Sequence, residues 1–269
     1  MRIPIASLLV LVVAVLAGSV VADQPTGLDC LVQSWETVAV ASPVEGLIER
    51  ITVDRGDLVT RGQVLVVLES SMERASLEVA RARALTEAGI KSSQARVEFG
   101  DRRYTRTLDL FKKELVPLRE MDEAETGKVL ADLALLEALE NRKLAELEQR
   151  RVEAALAQRT IVSPINGVVV ERVLGPGEAA GRAPILKLAQ IDPLRVEVFA
   201  PVTMLGKIWA GMQARVIPEA PLNRTYNARV IVVDRVVDPA SGTFGVRLEL
   251  ANADYGLPAG LKCKVRFFP

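Results

Sequence analysis

The sequence predicts an elongated protein of mixed α and β structure. Two matching β half-motifs form a split sandwich, a long antiparallel α-helical coiled-coil hairpin sits between them, and a small antiparallel β-barrel follows. Three observations carry this. Ser42-Pro43-Val44-Glu45-Gly46, Gly56-Asp57 and Arg61-Gly62-Gln63-Val64-Leu65 reappear 121 positions later as Ser163-Pro164-Ile165-Asn166-Gly167, Gly177-Glu178 and Arg182-Ala183-Pro184-Ile185-Leu186. The residues between them are dense in Ala, Leu, Glu and Arg, which favour helix. Beyond the second copy, segments such as Leu194-Arg195-Val196-Glu197-Val198-Phe199 and Val246-Arg247-Leu248-Glu249-Leu250 alternate apolar with polar, the period of a half-buried strand.

In chain order, Arg2 and an apolar run, Ile3–Ala17, lead to Val20-Val21-Ala22. That is the pattern of an export signal, residues 1–22, cleaved after Ala22; an uncleaved anchor is the alternative, since twenty uncharged residues can just span a bilayer. Cys30 is not a lipid-attachment cysteine, because Leu28-Asp29 before it lacks small residues. Residues 23–41 read as an extended lead-in that joins the barrel, and 42–70 as the first β half, with Gly46 and Gly56 at turns. Residues 71–159 form the hairpin. Its ascending helix runs from Glu73 to Lys113 without a proline, and Leu115-Val116-Pro117 marks the reversal, since proline is accepted in a first helical turn. The descending helix carries Leu130, Leu133, Leu136, Leu139, Leu144 and Leu147 as its apolar stripe, and each run of about forty residues spans roughly 60 Å. The second half, 160–190, repeats the turn glycines as Gly167 and Gly177. The barrel, 191–269, includes one short helix over Val202–Trp209.

Export permits a disulfide. Cys263 shares a strand face with Leu261, Val265 and Phe267, and Cys30 one with Leu28 and Val32. A Cys30–Cys263 bridge and two buried free thiols both fit that pattern.

The composition excludes most chemistry. The chain has no histidine, which removes the commonest general base and zinc ligand. The five methionines are scattered, so no thioether metal site is expected, and no glycine loop is followed by Lys-Ser/Thr to cradle phosphate. With 34 basic and 34 acidic residues nothing points to nucleic acid. No metal and no enzymatic activity are expected.

The Ser-Pro-x-x-Gly, Gly-Asp/Glu and Arg-x-x-Val/Ile-Leu halves resemble the two hammerheads of a biotinyl/lipoyl carrier domain. Met72, within Glu69-Ser70-Ser71-Met72-Glu73, stands where such carriers have the modified lysine, which implies that no cofactor is attached. A lipoyl-like domain split at that point by a helical hairpin resembles the periplasmic adaptor subunits, or membrane fusion proteins, of RND-type tripartite efflux pumps. Tyr104-Thr105-Arg106, Leu110 and Asp122-Glu123-Ala124 are similar to that family's hairpin apex, with Pro117 at its usual serine position. Val236-Val237-Asp238-Pro239-Ala240-Ser241-Gly242-Thr243 and Leu257-Pro258-Ala259-Gly260-Leu261 are similar to its β-barrel segments. The resemblance implies a periplasmic protein of six copies, with an inner-membrane transporter at the barrel and an outer-membrane channel at the hairpin tip. It implies channel contact by Arg106, Leu110 and Pro117; a solvated arginine and a seam leucine are the alternative. Loops at Gly46, Gly56, Gly167 and Gly177 would line a constriction or serve turn geometry alone. Larger members continue into a membrane-proximal domain that this chain is expected to lack. An adaptor for an ABC-type exporter and a periplasmic scaffold outside any pump use the same parts.

Overall fold

The computed structural model describes residues 27–220, 222 and 224–268. The export segment, residues 1–22, lies outside the described residues. The chain divides into two compact units: Val196–Leu248 with 261–268 and the start of the first strand, and Val32–Arg195 with Glu249–Gly260. Its elements run β1 (Leu28–Ala41), β2 (Gly46–Ile51), β3 (Leu58–Val59), β4 (Val64–Leu68), α1 (Ser71–Ala84), α2 (Ala88–Lys112) and α3 (Leu118–Ala157). They continue with β5 (Thr160–Val162), β6 (Gly167–Arg172), β7 (Ala179–Ala180), β8 (Pro184–Pro201), β9 (Gln213–Pro218), β10 (Tyr226–Asp238), β11 (Thr243–Leu250) and β12 (Lys262–Phe268).

In the larger unit the two sequence repeats pair with each other rather than folding side by side. β2 pairs with β7 of the second copy, and β6, the repeat equivalent of β2, pairs with β3 of the first. The hydrogen bonds obey the same shift as the sequence. Gly56 N donates to Val169 O and Gly177 N to Ile48 O, both at 2.8 Å, while Val169 N donates to Asp57 O and Ile48 N to Glu178 O, both at 2.9 Å. Ser42 and Ser163 make the same local bond, each hydroxyl donating to the carbonyl two residues on, of Val44 and of Ile165. One core results, in which Ile48, Leu65 and Leu68 of the first copy pack with Val169, Ile185 and Leu188 of the second. Neither half can bury these side chains alone, which makes their meeting cooperative.

The helices depart from the sequence expectation in two ways. The single ascending helix is two, broken at Leu85–Glu87. There the backbone tightens, Thr86 N donating to Arg83 O, and the Thr86 hydroxyl donates back to Ala82 O; Gly89 follows with weak helix propensity. The expected leucine stripe is also displaced. Leu130, Leu133, Leu136, Leu139, Leu144 and Leu147 are all exposed. The half-buried and buried positions of α3 recur instead every three or four residues through Met121, Ala124, Lys128, Ala131, Leu135, Ala138 and on to Val152. Small residues let the helices approach, and a Cβ on Gly100 of α2 would lie 3.3 Å from Lys128 Cα. The helices are antiparallel: Arg81 pairs with Glu153 (3.5 Å), Glu87 with Arg142 (3.5 Å) and Asp101 with Lys128 (2.7 Å), so partners descend α3 as they climb α1 and α2.

In the smaller unit the strand order β1-β12-β9-β10-β11-β8, with β1 and β8 also paired, closes a sheet into a barrel. Val196, Val198 and Ala200 of β8 alternate into its core with Phe244, Val246 and Leu248 of β11. Residues Val202–Met204 form one 3-10 turn rather than the short helix expected to reach Trp209, because Leu205 is extended and Gly206 after it takes a positive φ. Cys30 lies opposite Cys263 in the β1–β12 ladder, with Cα atoms 4.8 Å and sulfurs 2.10 Å apart.

Candidate functional site: a hairpin held at its feet and exposed at its tip

The feet of the hairpin are set by strand pairing. β4 leads into α1, α3 leads into β5, and β4 and β5 are neighbours through Val67 opposite Thr160 and Val66 opposite Ile161. Glu69 at the end of β4 accepts the Ser71 amide at 2.8 Å, which starts α1. The Ser71 hydroxyl and that amide bond, with Arg159 and Arg74 nearby, hold the Glu69 carboxyl below its usual range. Met72 follows in the first turn of α1 and is 72% exposed.

Arg159, just after α3, is the residue that sequence reasoning missed. Its guanidinium donates to Glu73 of α1 at 2.5 Å and to the Glu45 carbonyl at 3.0 Å, and its own carbonyl accepts the Leu68 amide at 2.8 Å. One side chain thus ties both feet to the first β half. Arg159 and Glu73 are both partly buried, so water screens this pair less than the exposed ion pairs along the hairpin, each worth about 0–1 kcal/mol. Only its place beside the second repeat hints at this role.

The four expected turn glycines separate into two kinds. Gly56 and Gly177 have φ of +93° and +86° and make true turns. Gly46 and Gly167 instead begin strands β2 and β6, and what they supply is room. A Cβ on Gly46 would stand 2.5 Å from Arg159 Nη1, and one on Gly167 only 2.2 Å from Ala189 O. Close approach of another segment, invisible in a local motif, is the reason for glycine at these two positions.

At the other end, Lys113 N and Leu115 N both donate to Leu110 O, and Glu114 turns the chain with φ +57°. Pro117 caps α3 in an extended conformation and its side chain makes no capping bond, whereas a serine hydroxyl there would satisfy one free amide of the first turn. Arg106 and Pro117 are exposed and Leu110 is half-buried. Leu115 and Leu118 flank Pro117 and are also exposed, an apolar pair the motif alone does not mark. Tyr104 faces back along the hairpin instead. Lys128 lies 5.5 Å over its ring while bonded to Asp101, which raises the lysine above its usual range. Among the described residues no three His, Cys, Asp or Glu side chains converge as a metal site.

A two-half sandwich that closes around the feet of a helical insertion, joined to a six-stranded barrel, defines a class of split barrel-sandwich proteins. The chain belongs to the CzcB-like barrel-sandwich hybrid domain family, whose model matches residues 36–189; residues 194–269 match the CusB-like β-barrel domain. It is 26% identical over 230 residues to the nickel-cobalt-cadmium resistance protein NccB of Alcaligenes xylosoxydans xylosoxydans, covering 84% of this chain and 55% of that one. It is 27% identical over 235 residues to the nickel and cobalt resistance protein CnrB of Cupriavidus metallidurans, covering 80% and 55%. The chain therefore spans about half the length of these relatives. Its fold is that of MacA from Actinobacillus actinomycetemcomitans, with a TM-score of 0.76 at 21% identity over 90% of this chain and 77% of that one.

Proposed function

We propose that this chain is a periplasmic adaptor that links an inner-membrane RND-type efflux transporter to an outer-membrane channel and seals the path between them. The observation that carries it is the pairing of the two repeats, 42–70 with 160–190, around the feet of a hairpin whose exposed end carries apolar side chains among charges of both signs. Such a base fixes the direction of a spacer and leaves the tip free to dock. The seam of α3 fits a coiled coil that resists bending. Membership of the CzcB-like family and the resistance named for NccB and CnrB support a role in export. The reading is mechanical: Arg106, Leu110 and Pro117 contact the channel, the barrel meets the transporter, and no cofactor takes part. Among the described residues no helix is long and apolar enough to cross a membrane.

Copies of the chain would assemble through the leucines left outside the α3 seam. Leu130, Leu133 and Leu136 form an exposed face bordered by Glu125, Glu137 and Glu140, and exposed Arg96, Arg103 and Arg106 on α2 complement it. Deleting the gene should remove the tolerance lost on deleting its transporter, and the wild-type chain should restore it. The Leu133→Glu, Leu136→Glu chain should stay folded and fail to restore it. Unchanged tolerance after deletion would overturn the adaptor reading, and full rescue by the double variant would overturn the assembly face.

In the exported protein we take the Cys30–Cys263 contact to be a disulfide. Denatured, unreduced protein should then titrate no thiol, and the reduced protein two; two thiols before reduction would remove the bridge.

A further inference from the structure

The loop of residues 202–212 connects β8 and β9, two strands of the barrel. Ile208 and Met212 are its anchors, 4% and 8% exposed. The backbone is held at both ends: Val202 N donates to Gly242 O at 3.0 Å, Gly211 N to Val230 O at 2.8 Å and Val230 N to Met212 O at 2.9 Å. The loop is fastened, yet three of its large apolar side chains turn outward. Val202, Leu205 and Trp209 are 46%, 50% and 51% exposed. The single charge in the loop is Lys207, also exposed. An isolated exposed apolar residue needs no explanation, but three within eight positions on a fixed loop form a surface.

The strand register places this surface. Leu28 lies opposite Val265 and Leu31 opposite Lys262, while Phe268 lies opposite Gln213. Moving back along β1 from Leu31 to Leu28 is therefore moving toward Gln213, where the loop enters β9. Residues 1–26, with their apolar run Ile3–Ala17, join the chain at the start of this strand.

We infer that this loop docks on an anionic lipid surface, with Trp209 and Leu205 at the boundary of the acyl chains and Lys207 among the phosphates. The chemistry fits that partner. An indole ring favours the headgroup level, aliphatic side chains the layer beneath, and a lysine on an otherwise uncharged loop is drawn to anionic lipid. A typical protein interface carries about ten direct hydrogen bonds, and the loop offers no carboxylate or amide side chain before Gln213 at its end with which to contribute to them. The inference goes beyond the adaptor reading and does not rest on it, since a lipid surface at the barrel end requires no channel at the hairpin tip.

The test uses the full chain with vesicles of phosphatidylethanolamine and phosphatidylglycerol that carry brominated acyl chains. Of the two tryptophans, the signal that disappears in Trp209→Phe belongs to Trp209. On the vesicles that signal should shift to the blue and be quenched, most by bromines placed high on the chain. Leu205→Asp should abolish the quench with the circular dichroism unchanged. Lys207→Glu should weaken partitioning about five-fold or more, and only where phosphatidylglycerol is present. Because quenching reads the position of one ring, the result is independent of any anchoring by residues 1–26. A vesicle-bound protein whose Trp209 stays unshifted and unquenched overturns the inference, as does cross-linking of position 209 to a membrane protein without quenching by lipid.

Discussion

Gly167→Val lowers the unfolding free energy of the protein by about 3 kcal/mol or more, and Gly46→Ala, at the same place in the first repeat, lowers it by only about 1 kcal/mol. At Gly167 the new Cβ would stand 2.2 Å from Ala189 O and 2.9 Å from Ala189 C, so backbone must move. That backbone belongs to β8, which is paired to β6 through Val168 opposite Ala189 and cannot retreat without opening the ladder. At Gly46 the obstacle is Arg159 Nη1, the end of a flexible side chain. Alanine there displaces the guanidinium from the Glu45 carbonyl and loosens the clamp on the hairpin feet without moving a strand. Thermal and urea unfolding, followed by circular dichroism, compare the two. Equal losses would show that the repeats are interchangeable and that close packing against Ala189 is not what Gly167 is for.

Arg106→Asp abolishes export-dependent tolerance in cells while expression, helicity and melting temperature stay at wild-type values. The side chain is exposed on α2, one turn before Leu110, whose carbonyl anchors the turn. Reversing a solvated charge on a helix surface changes stability by no more than about 0.5 kcal/mol, so a functional loss reports a broken contact rather than a broken fold. Aspartate at 106 would set a like charge against any acidic group of the partner that Arg106 meets, and like charges set against each other cost several kcal/mol at an interface. Wild-type tolerance with the variant would return Arg106 to the role of a solvated residue.

The architecture is legible in the sequence where it depends on local chemistry. Turn glycines, proline at a helix start and a motif repeated at a fixed shift identify the two halves, and the same shift governs the hydrogen bonds of Gly56 with Val169 and Gly177 with Ile48. What depends on distant neighbours is hidden. Leucine is the strongest apolar signal and draws the α3 stripe through Leu130–Leu147, yet the helices meet along Ala124, Ala131 and Ala138, with Lys128 and Arg142 seated there through ion pairs to Asp101 and Glu87. At the break after Ala84, Thr86 N donates to Arg83 O and the Thr86 hydroxyl to Ala82 O, a choice between two backbone patterns that propensity alone does not decide. Gly46 and Gly167 look like Gly56 and Gly177 in sequence, and only the proximity of Arg159 and Ala189 separates them. At the tip the motif points to Arg106 and Leu110, while Leu115 and Leu118 are visible only as apolar residues in a loop.

The most direct measurement of the coupling role places a photo-reactive amino acid at position 106 and, as a control inside the helix seam, at position 131, in cells that hold the transporter and the channel. The adaptor account predicts a covalent adduct at 106 whose partner peptide is identified by mass spectrometry as the outer-membrane channel, with no such adduct from 131. A folded, exported protein that gives no channel adduct at 106, or gives it equally from 131, would contradict the account.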